Sequence, residues 1–214
     1  MAQETPIEFT RQIDGFTNQR CGNEVVIGAG TAVVGHIILD ASNAHIGQVG
    51  GATIMSDANF QRPNDANPYQ IGDVVSNSTG ATTMMTFDNV ARVNGGSGWI
   101  TAAMAYTDKK DSVQNLELLL FKVSTVTPAV DNAPDKTLWA NRTYYVGTID
   151  FGAFVPGTDA ANSTGARAEP NYSVRIPFAC DTNDDALYGY FRTKTASTPA
   201  AQQNFYVRLK IEDN

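Results

Sequence analysis

The stretch that decides the fold is NFYVRLKIE, at residues 204–212. An extended chain places alternate residues on opposite sides, so this stretch has one apolar and one polar side. The apolar side is Phe205, Val207, Leu209 and Ile211, and the polar side is Tyr206, Arg208 and Lys210. A period of two residues predicts a β-strand that buries one face in a sheet.

Seven further segments have the same short, β-branched or aromatic character. They are residues 71–75, 82–91, 98–107, 115–124, 142–151, 172–179 and 186–194. Turn residues separate them, as in VNGGSG (93–98), a hairpin or tight loop, and TDKKDS (107–112), a polar reversal. Eight antiparallel strands predict an all-β fold, a two-sheet sandwich of the jelly-roll type. An immunoglobulin-like sandwich is the alternative, but it uses about seven strands.

Two segments interrupt this pattern. DNAPDKTLWAN (131–141) predicts a helix of about two turns, with Pro134 as its first position. The stretch 155–171 lacks apolar periodicity and predicts an exposed loop.

The first 66 residues are rich in glycine and end in the linker-like stretch NFQRPNDANPY. They have too few large apolar residues to bury a core of their own. The sequence therefore predicts two parts, an extended N-terminal β arm and linker (1–66) and the sandwich (67–214). The arm is expected to gain order on another subunit or partner. Its predicted contact residues are Val25, Val26, Ile27, Val33, Val34, Ile37 and Leu39.

One stretch of the arm, VVIGAGTAVVG (25–35), invites comparison with the dinucleotide-binding fingerprint G-x-G-x-x-G. The third glycine position holds Val33, and the residues that follow favour a strand over the required helix. No acidic residue stands near the expected place about 20 residues later. We interpret GAGT as a turn between two strands.

Composition excludes several classes of partner. The formal net charge is −7 and no basic cluster is present, which argues against nucleic-acid binding. No apolar run is long enough for a membrane span, and no secretory signal is predicted at the N-terminus. We expect a chain made and kept soluble in the cytoplasm, with Cys21 and Cys180 reduced rather than bonded to each other.

No catalytic or metal-binding constellation is predicted, and therefore neither enzymatic activity nor a cofactor. His36, Asp40 and His45 lack the close, paired spacing of a zinc site. Cys180 lies among carboxylates, which raise a thiol pKa and make a poor nucleophile. The acidic loop CDTNDDAL (180–187) lacks the ligand spacing of an EF-hand, so a solvated turn is favoured over weak calcium binding.

Aromatic residues are dense in the second half of the chain, as in a sugar-binding face. At strand periodicity, however, a core or oligomer interface is favoured. The residues concerned are Tyr144, Tyr145, Phe151, Phe154, Tyr172, Tyr188, Tyr190, Phe191 and Tyr206.

Four segments together resemble a module found in virion proteins of tailed bacteriophages. They are YQIGDVVSN (69–77), TFDNVARVNGGSGWI (86–100), LELLLFKVSTVTPAVDNAPD (116–135) and YVGTIDF (145–151). HIGQVGG (45–51) is similar to the short pieces that precede that module. The resemblance covers most of residues 45–151, and the remaining strands fit it only generically.

The resemblance implies a head decoration, or cement, protein on the capsid surface of the virion, assembled in the bacterial cytoplasm. Such proteins have jelly-roll-like folds, form homotrimers with arms reaching neighbouring copies, and bind the major capsid protein. The alternatives are a tail or receptor-binding protein that binds glycans, and a glycan-active enzyme. The loops at 155–171 and 195–203 contain no aromatic residues, which weakens the sugar-binding alternative.

Overall fold

The computed structural model describes residues 52–110, 114–136, 138–156, 165–170 and 172–213. These residues contain eleven strands and a short 3-10 helix, η1 (Trp139–Thr143). None of their helices is long and apolar enough to cross a membrane. The strands are β1 (Thr53–Gln61), β2 (Val74–Val75), β3 (Met85–Phe87), β4 (Ser97–Thr107), β5 (Asn115–Phe121), β6 (Tyr145–Ala153), β7 (Val155–Pro156), β8 (Ala166–Ala168), β9 (Ile176–Ala179), β10 (Leu187–Thr193) and β11 (Asn204–Asp213).

The described strands form two antiparallel sheets. Sheet 1 has the order β1-β11-β4-β8-β7, with β9 also paired to β4. Sheet 2 has the order β2-β10-β5-β6, with β3 also paired to β10. Two positions are shared by short strands: β2 and β3 pair with successive parts of β10, and β8 and β9 pair with successive parts of β4.

The pairing follows the chain from its ends towards its middle. The first strand pairs with the last (β1 with β11), and the next position, β2 and β3, pairs with β10. Further in, β4 pairs with β9 and β5 pairs with β6. A long antiparallel hairpin rolled into two facing sheets has this order, which is that of a jelly roll. The predicted all-β, jelly-roll-like sandwich is confirmed.

Each of the eight predicted segments contains a strand, but these segments fill only seven of the eight strand positions expected for the jelly roll. Residues 71–75 and 82–91 supply only β2 and β3, which share one position beside β10. The eighth position is filled by β1, from the range assigned to the arm and linker. Thr53–Gln61 pairs with β11 along its whole length and buries Ser56 and Ala58. Residues 1–51 of the arm lie outside the described residues, so the arm itself stays a prediction.

The predicted helix from Pro134 is wrong. The Val74 N–H donates to the Ala133 carbonyl (2.9 Å) and the Asp135 N–H donates to the Gly72 carbonyl (3.0 Å). These bonds hold Pro134 in a β-bridge with Asp73, and helical structure begins only at η1. The predicted loop 155–171 is also partly wrong, because it contains β7 and β8, although residues 157–164 and 171 lie outside the described range.

The core lies between the sheets and confirms the alternation of β11. Its four apolar residues are at most 1% exposed. At the centre, the Phe191 ring lies 5.5 Å from Phe205, 6.0 Å from Phe151 and 6.1 Å from Phe60, measured between ring centroids. Gly189 permits β10 to pass close to β5, since a Cβ at this position would lie 2.8 Å from the Leu119 carbonyl oxygen.

The outer face of sheet 2 is covered at one end by the segment after β5. A second apolar cluster is buried there, consisting of Val74, Leu119, Phe121, Val126 and Tyr190. Burial on both faces explains why β5, with the sequence NLELLLF, is almost continuously apolar rather than alternating.

A buried ion pair joins the segment after β1 to the loop before η1. Arg62 and Asp131 have fully buried side chains, and Arg62 Nη2 donates to Asp131 Oδ2 (2.7 Å). Tyr69 Oη donates to Asp131 Oδ1 (2.8 Å) and accepts a hydrogen bond from Arg62 Nε. The Ser76 N–H also donates to Asp131 Oδ1, and Arg62 Nη1 donates to the Ala200 carbonyl. Burial, reinforced by the Asp131 charge, raises the pKa of Tyr69, so its hydroxyl remains a donor.

Candidate docking surface

Large apolar side chains are exposed close together in sequence where the chain enters β6. Trp139 is 78% exposed and Leu138 is 60% exposed. Tyr144 and Tyr145, at the start of β6, are 36% and 44% exposed. We call these four residues the aromatic surface. Four large apolar side chains exposed within eight residues of sequence make this segment a candidate binding site, since exposed apolar residues usually occur singly.

Backbone hydrogen bonds hold the aromatic surface in a defined shape. The Asn141 N–H donates to the Leu138 carbonyl (2.8 Å), and the Tyr144 N–H donates to the Asn141 carbonyl (2.9 Å). The Lys122 N–H, just after β5, donates to the Tyr144 carbonyl (2.9 Å). The segment is thereby fixed to sheet 2, which reduces the entropy lost when a partner binds.

Side-chain contacts fix the rings as well. Arg142 Nη1 donates to the Trp139 carbonyl (2.9 Å), and its guanidinium lies 4.4 Å from the centroid of the Trp139 ring. The Tyr145 ring packs edge-on against buried Phe121, with centroids 5.6 Å apart, and its hydroxyl bonds that of Thr148. Aromatic side chains with a nearby arginine have the composition of binding hot spots.

Charged side chains also lie on the outer face of sheet 2, towards the end of β5 that is remote from Tyr145. Arg192 Nε donates to Glu117 Oε2 (2.7 Å), and Arg192 Nη1 lies 3.1 Å from Asp135 Oδ2. Lys194 Nζ donates to Asp150 Oδ2 (2.6 Å) at the edge strand β6. The hydrogen bond and charge of Asp150 raise the pKa of Lys194, so the Lys194 ammonium keeps its charge at neutral pH.

Several candidate residues from the sequence are not brought together by the described structure. The seven predicted contact residues of the arm all lie outside the described residues, as do Cys21, His36, Asp40 and His45. In the described ranges, no three His, Cys, Asp or Glu side chains are grouped to hold a metal ion. The loop 180–187 forms a hydrogen-bonded turn, in which the Asp184 N–H donates to the Asp181 carbonyl (3.0 Å).

Cys180 has the raised thiol pKa that the sequence predicts. The main cause is burial, with smaller contributions from the charges of Asp184, Asp185 and Asp213, and together they raise the pKa to about 12. The sequence identified the carboxylates near Cys180 and left open whether the thiol is in the core or in a turn, because its burial depends on strands far apart in the chain.

The dense aromatics divide between core and surface. Phe151, Phe154 and Phe191 are core residues, and Tyr190 is buried in the outer cluster. Tyr144, Tyr145 and Tyr172 are exposed, and Tyr172 Oη accepts a hydrogen bond from the Asp150 N–H (3.1 Å). Trp139 and Leu138 were missed as site residues because TLWAN (137–141) was assigned to a helix. The available signal was the density of apolar residues in TLWANRTYY (137–145), which do not alternate as in a strand.

Comparisons with known proteins give no family. No protein-family model and no curated protein sequence matches the chain. Among solved structures, the chain is similar to the 60-mer BFDV capsid protein, with 12% identity, a TM-score of 0.27 and coverage of 76% of this chain and 93% of that one. It is also similar to black queen cell virus, with 9% identity, a TM-score of 0.24 and coverage of 100% and 84%.

A third similar structure is the CBM22-1–GH10 part of xylanase 10B from Clostridium thermocellum, complexed with xylohexaose. The identity is 9%, the TM-score is 0.27, and the match covers 74% of this chain but only 26% of the xylanase chain. At these identities and TM-scores, the activities and partners of the three proteins carry no information about this chain.

Proposed function

We propose that this chain is a capsid decoration protein of a tailed bacteriophage, which binds the assembled shell and stabilises it by bridging copies of the major capsid protein. The observation that carries the proposal is the aromatic surface, with Trp139 and Leu138 exposed on a hydrogen-bonded turn. The resemblance of residues 45–151 to phage virion proteins supports the same function. The segments with that resemblance also flank the aromatic surface.

The proposed mechanism is thermodynamic. A protein that binds the assembled shell more tightly than free subunits shifts the assembly equilibrium towards the shell. A homotrimer would add avidity, because its second and third contacts are effectively intramolecular. The jelly roll supplies a rigid body, and the aromatic surface supplies contacts that lose little conformational freedom on binding.

Trp139→Ala tests this proposal. Loss of a hot-spot tryptophan costs about 2 kcal/mol or more per contact, so binding to undecorated shells is expected to weaken by about 30-fold or more. The measurement is co-sedimentation of the full chain with shells purified from the virus that encodes it. The free energy of unfolding should be unchanged, because the Trp139 ring is mostly exposed.

Tyr106→Ala is the matched control. Tyr106 is 39% exposed on the outer face of sheet 1, where it packs edge-on against Tyr206. Shell binding by this variant should match the unmodified chain. Wild-type binding by Trp139→Ala, or an equal loss with Tyr106→Ala, would contradict a role for the aromatic surface.

A second candidate function is glycan binding by a tail protein. Tyr145 lies on β6 and Tyr172 Oη bonds β6, both are exposed, and β6 also carries Asp150, which pairs with Lys194. Aromatic faces beside ionised groups can stack on and hydrogen-bond a sugar. Tyr172→Ala separates the candidates: it should leave shell binding unchanged if the chain decorates the capsid, and abolish glycan binding if the chain is an adhesin.

A further inference from the structure

The free edge of β1 differs from the other sheet edges of the sandwich. Sheet edges expose unpaired backbone groups, and natural proteins protect them with short strands, prolines, bulges or charges. Strand β1 has nine residues and contains neither proline nor lysine. Its one charged residue, Asp57, is held in a two-point ion pair by Arg208 of β11 (2.7 and 2.8 Å).

The remaining edges carry such protection. At the far side of sheet 1, β7 has two residues and ends in Pro156, and β9 has four residues and contains Pro177. At one side of sheet 2, the edge is divided between β2 and β3, of two and three residues. At its other side, β6 has two register shifts against β5, and Gly152 adopts a left-handed conformation (φ +71°).

The hydrogen-bond pattern shows which groups of β1 face outward. At one end the Asp213 N–H donates to the Ala52 carbonyl (3.0 Å), and at the other the Arg62 N–H donates to the Gln203 carbonyl (2.9 Å). Antiparallel ladders alternate, so the even-numbered residues between these points bond to β11. The odd-numbered residues therefore direct their N–H and C=O groups away from β11: Thr53, Met55, Asp57, Asn59 and Gln61. No other described strand pairs with these groups.

Side-chain burial indicates the same open edge. Phe60 and Ile54 point towards the core from β1 but are only partly buried, whereas their partners Phe205 and Ile211 on β11 are almost completely buried. A neighbouring strand with apolar residues on its inner side would complete this margin of the core.

We infer that residues 32–39 of a second copy of this chain add to the free edge of β1 as an extra strand. The segment AVVGHIIL has a length close to that of β1, four β-branched residues and no proline. Strand addition uses the outward backbone groups for affinity and alternate side chains for packing. As a strand, the segment places Val33, Ile37 and Leu39 on one side, suited to cover Ile54 and Phe60.

The length of the connection favours a donor from another copy. Thirteen residues, 40–52, separate the segment from β1. Hairpin loops usually have about 2–5 residues. A flexible connection of this length spans about 20 Å on average, which is enough to reach a neighbouring molecule. Self-association through this edge does not depend on a viral shell, so its test is separate from that of the proposed function.

Asn59→Pro blocks the edge without disturbing the β1–β11 ladder, because the Asn59 N–H faces outward and proline is tolerated on edge strands. By analytical ultracentrifugation, the full-length unmodified chain should sediment with at least twice the 23.0 kDa chain mass. The Asn59→Pro variant should sediment as a monomer with an unchanged circular dichroism spectrum. Ala58→Pro is the control, since its N–H belongs to the ladder with β11, and it should lower the melting temperature.

Mixing two variants tests whether the added strand comes from another copy of the chain. Ile37→Asp disables the segment but leaves the β1 edge intact, and this variant alone should also be a monomer. Mixing Ile37→Asp with Asn59→Pro chains should produce a heterodimer, because one chain keeps the segment and the other keeps the edge. A monomeric unmodified chain, or association that survives Asn59→Pro, would overturn the inference. Failure of the two monomeric variants to associate on mixing would overturn the assignment of the segment to a second copy.

Discussion

Replacing Asp131 with alanine is expected to lower the free energy of unfolding by about 3–5 kcal/mol, because it removes the fully buried counter-charge of the Arg62 guanidinium. The substitution also removes the acceptor for the Tyr69 hydroxyl and the Ser76 N–H. Urea denaturation of the full chain measures the effect. The Asp131 carboxylate links Arg62, just after β1, to Tyr69 and Ser76. Without it, the chain should unfold at a lower urea concentration.

Two further variants test whether the loss of stability comes from the buried Arg62–Asp131 ion pair. Asp65→Ala removes a partly exposed partner of Arg62, at 3.2 Å, and should cost at most about 1 kcal/mol. Replacing both Arg62 with methionine and Asp131 with leucine should recover much of the loss, because buried ion pairs can often be replaced by apolar residues at little cost. A loss below about 1 kcal/mol for Asp131→Ala would contradict the assigned role.

A loss of about 3–5 kcal/mol is likewise expected for Phe191→Ala. Phe191 is fully buried at the centre of sheet 2 and its ring contacts rings from both sheets, including Phe60 of β1. Its removal would leave a cavity between the sheets that the rigid strands cannot fill. The same urea denaturation measures this effect.

Phe191→Leu is the matched control for the cavity. It keeps an apolar side chain of moderate volume and should cost less than about 1.5 kcal/mol. Equal losses for leucine and alanine would show that the aromatic ring contacts, rather than the filled volume, determine stability at this position.

Much of the fold was predictable because burial leaves a period of two residues in strands with one buried face. The alternation of β11 is the clearest case, and β4 and β10 were also placed nearly to their ends. The jelly roll followed from counting strands, although the sequence could not show that β2 and β3 share one position. That arrangement depends on the register of β10, which contacts both strands.

The features of the fold that the sequence did not predict have identifiable physical causes. Strand β1 was missed because TIMSDANFQ contains Ser, Asp and Asn residues typical of linkers, and its order comes from pairing with β11. The helix prediction at Pro134 relied on local capping chemistry, which hydrogen bonds to residues near β2 override. Arg62 could not be identified as a core residue because its partner Asp131 is distant in sequence and arginine is seldom buried.

The candidate site was less predictable than the fold. Aromatic density identified Tyr144 and Tyr145, but only the structure separates them from buried Phe151 and Phe191 on neighbouring strands. Exposure of Trp139 depends on where η1 begins, and the sequence placed that helix too early.

The measurement that tests the central proposal most directly is the copy number of this chain in purified virions, by quantitative mass spectrometry relative to the major capsid protein. A decoration protein that bridges capsid subunits over the whole shell should be present at a copy number comparable to that of the major capsid protein. A copy number far below it, typical of a tail or a single vertex, or absence from the particle would contradict the proposal.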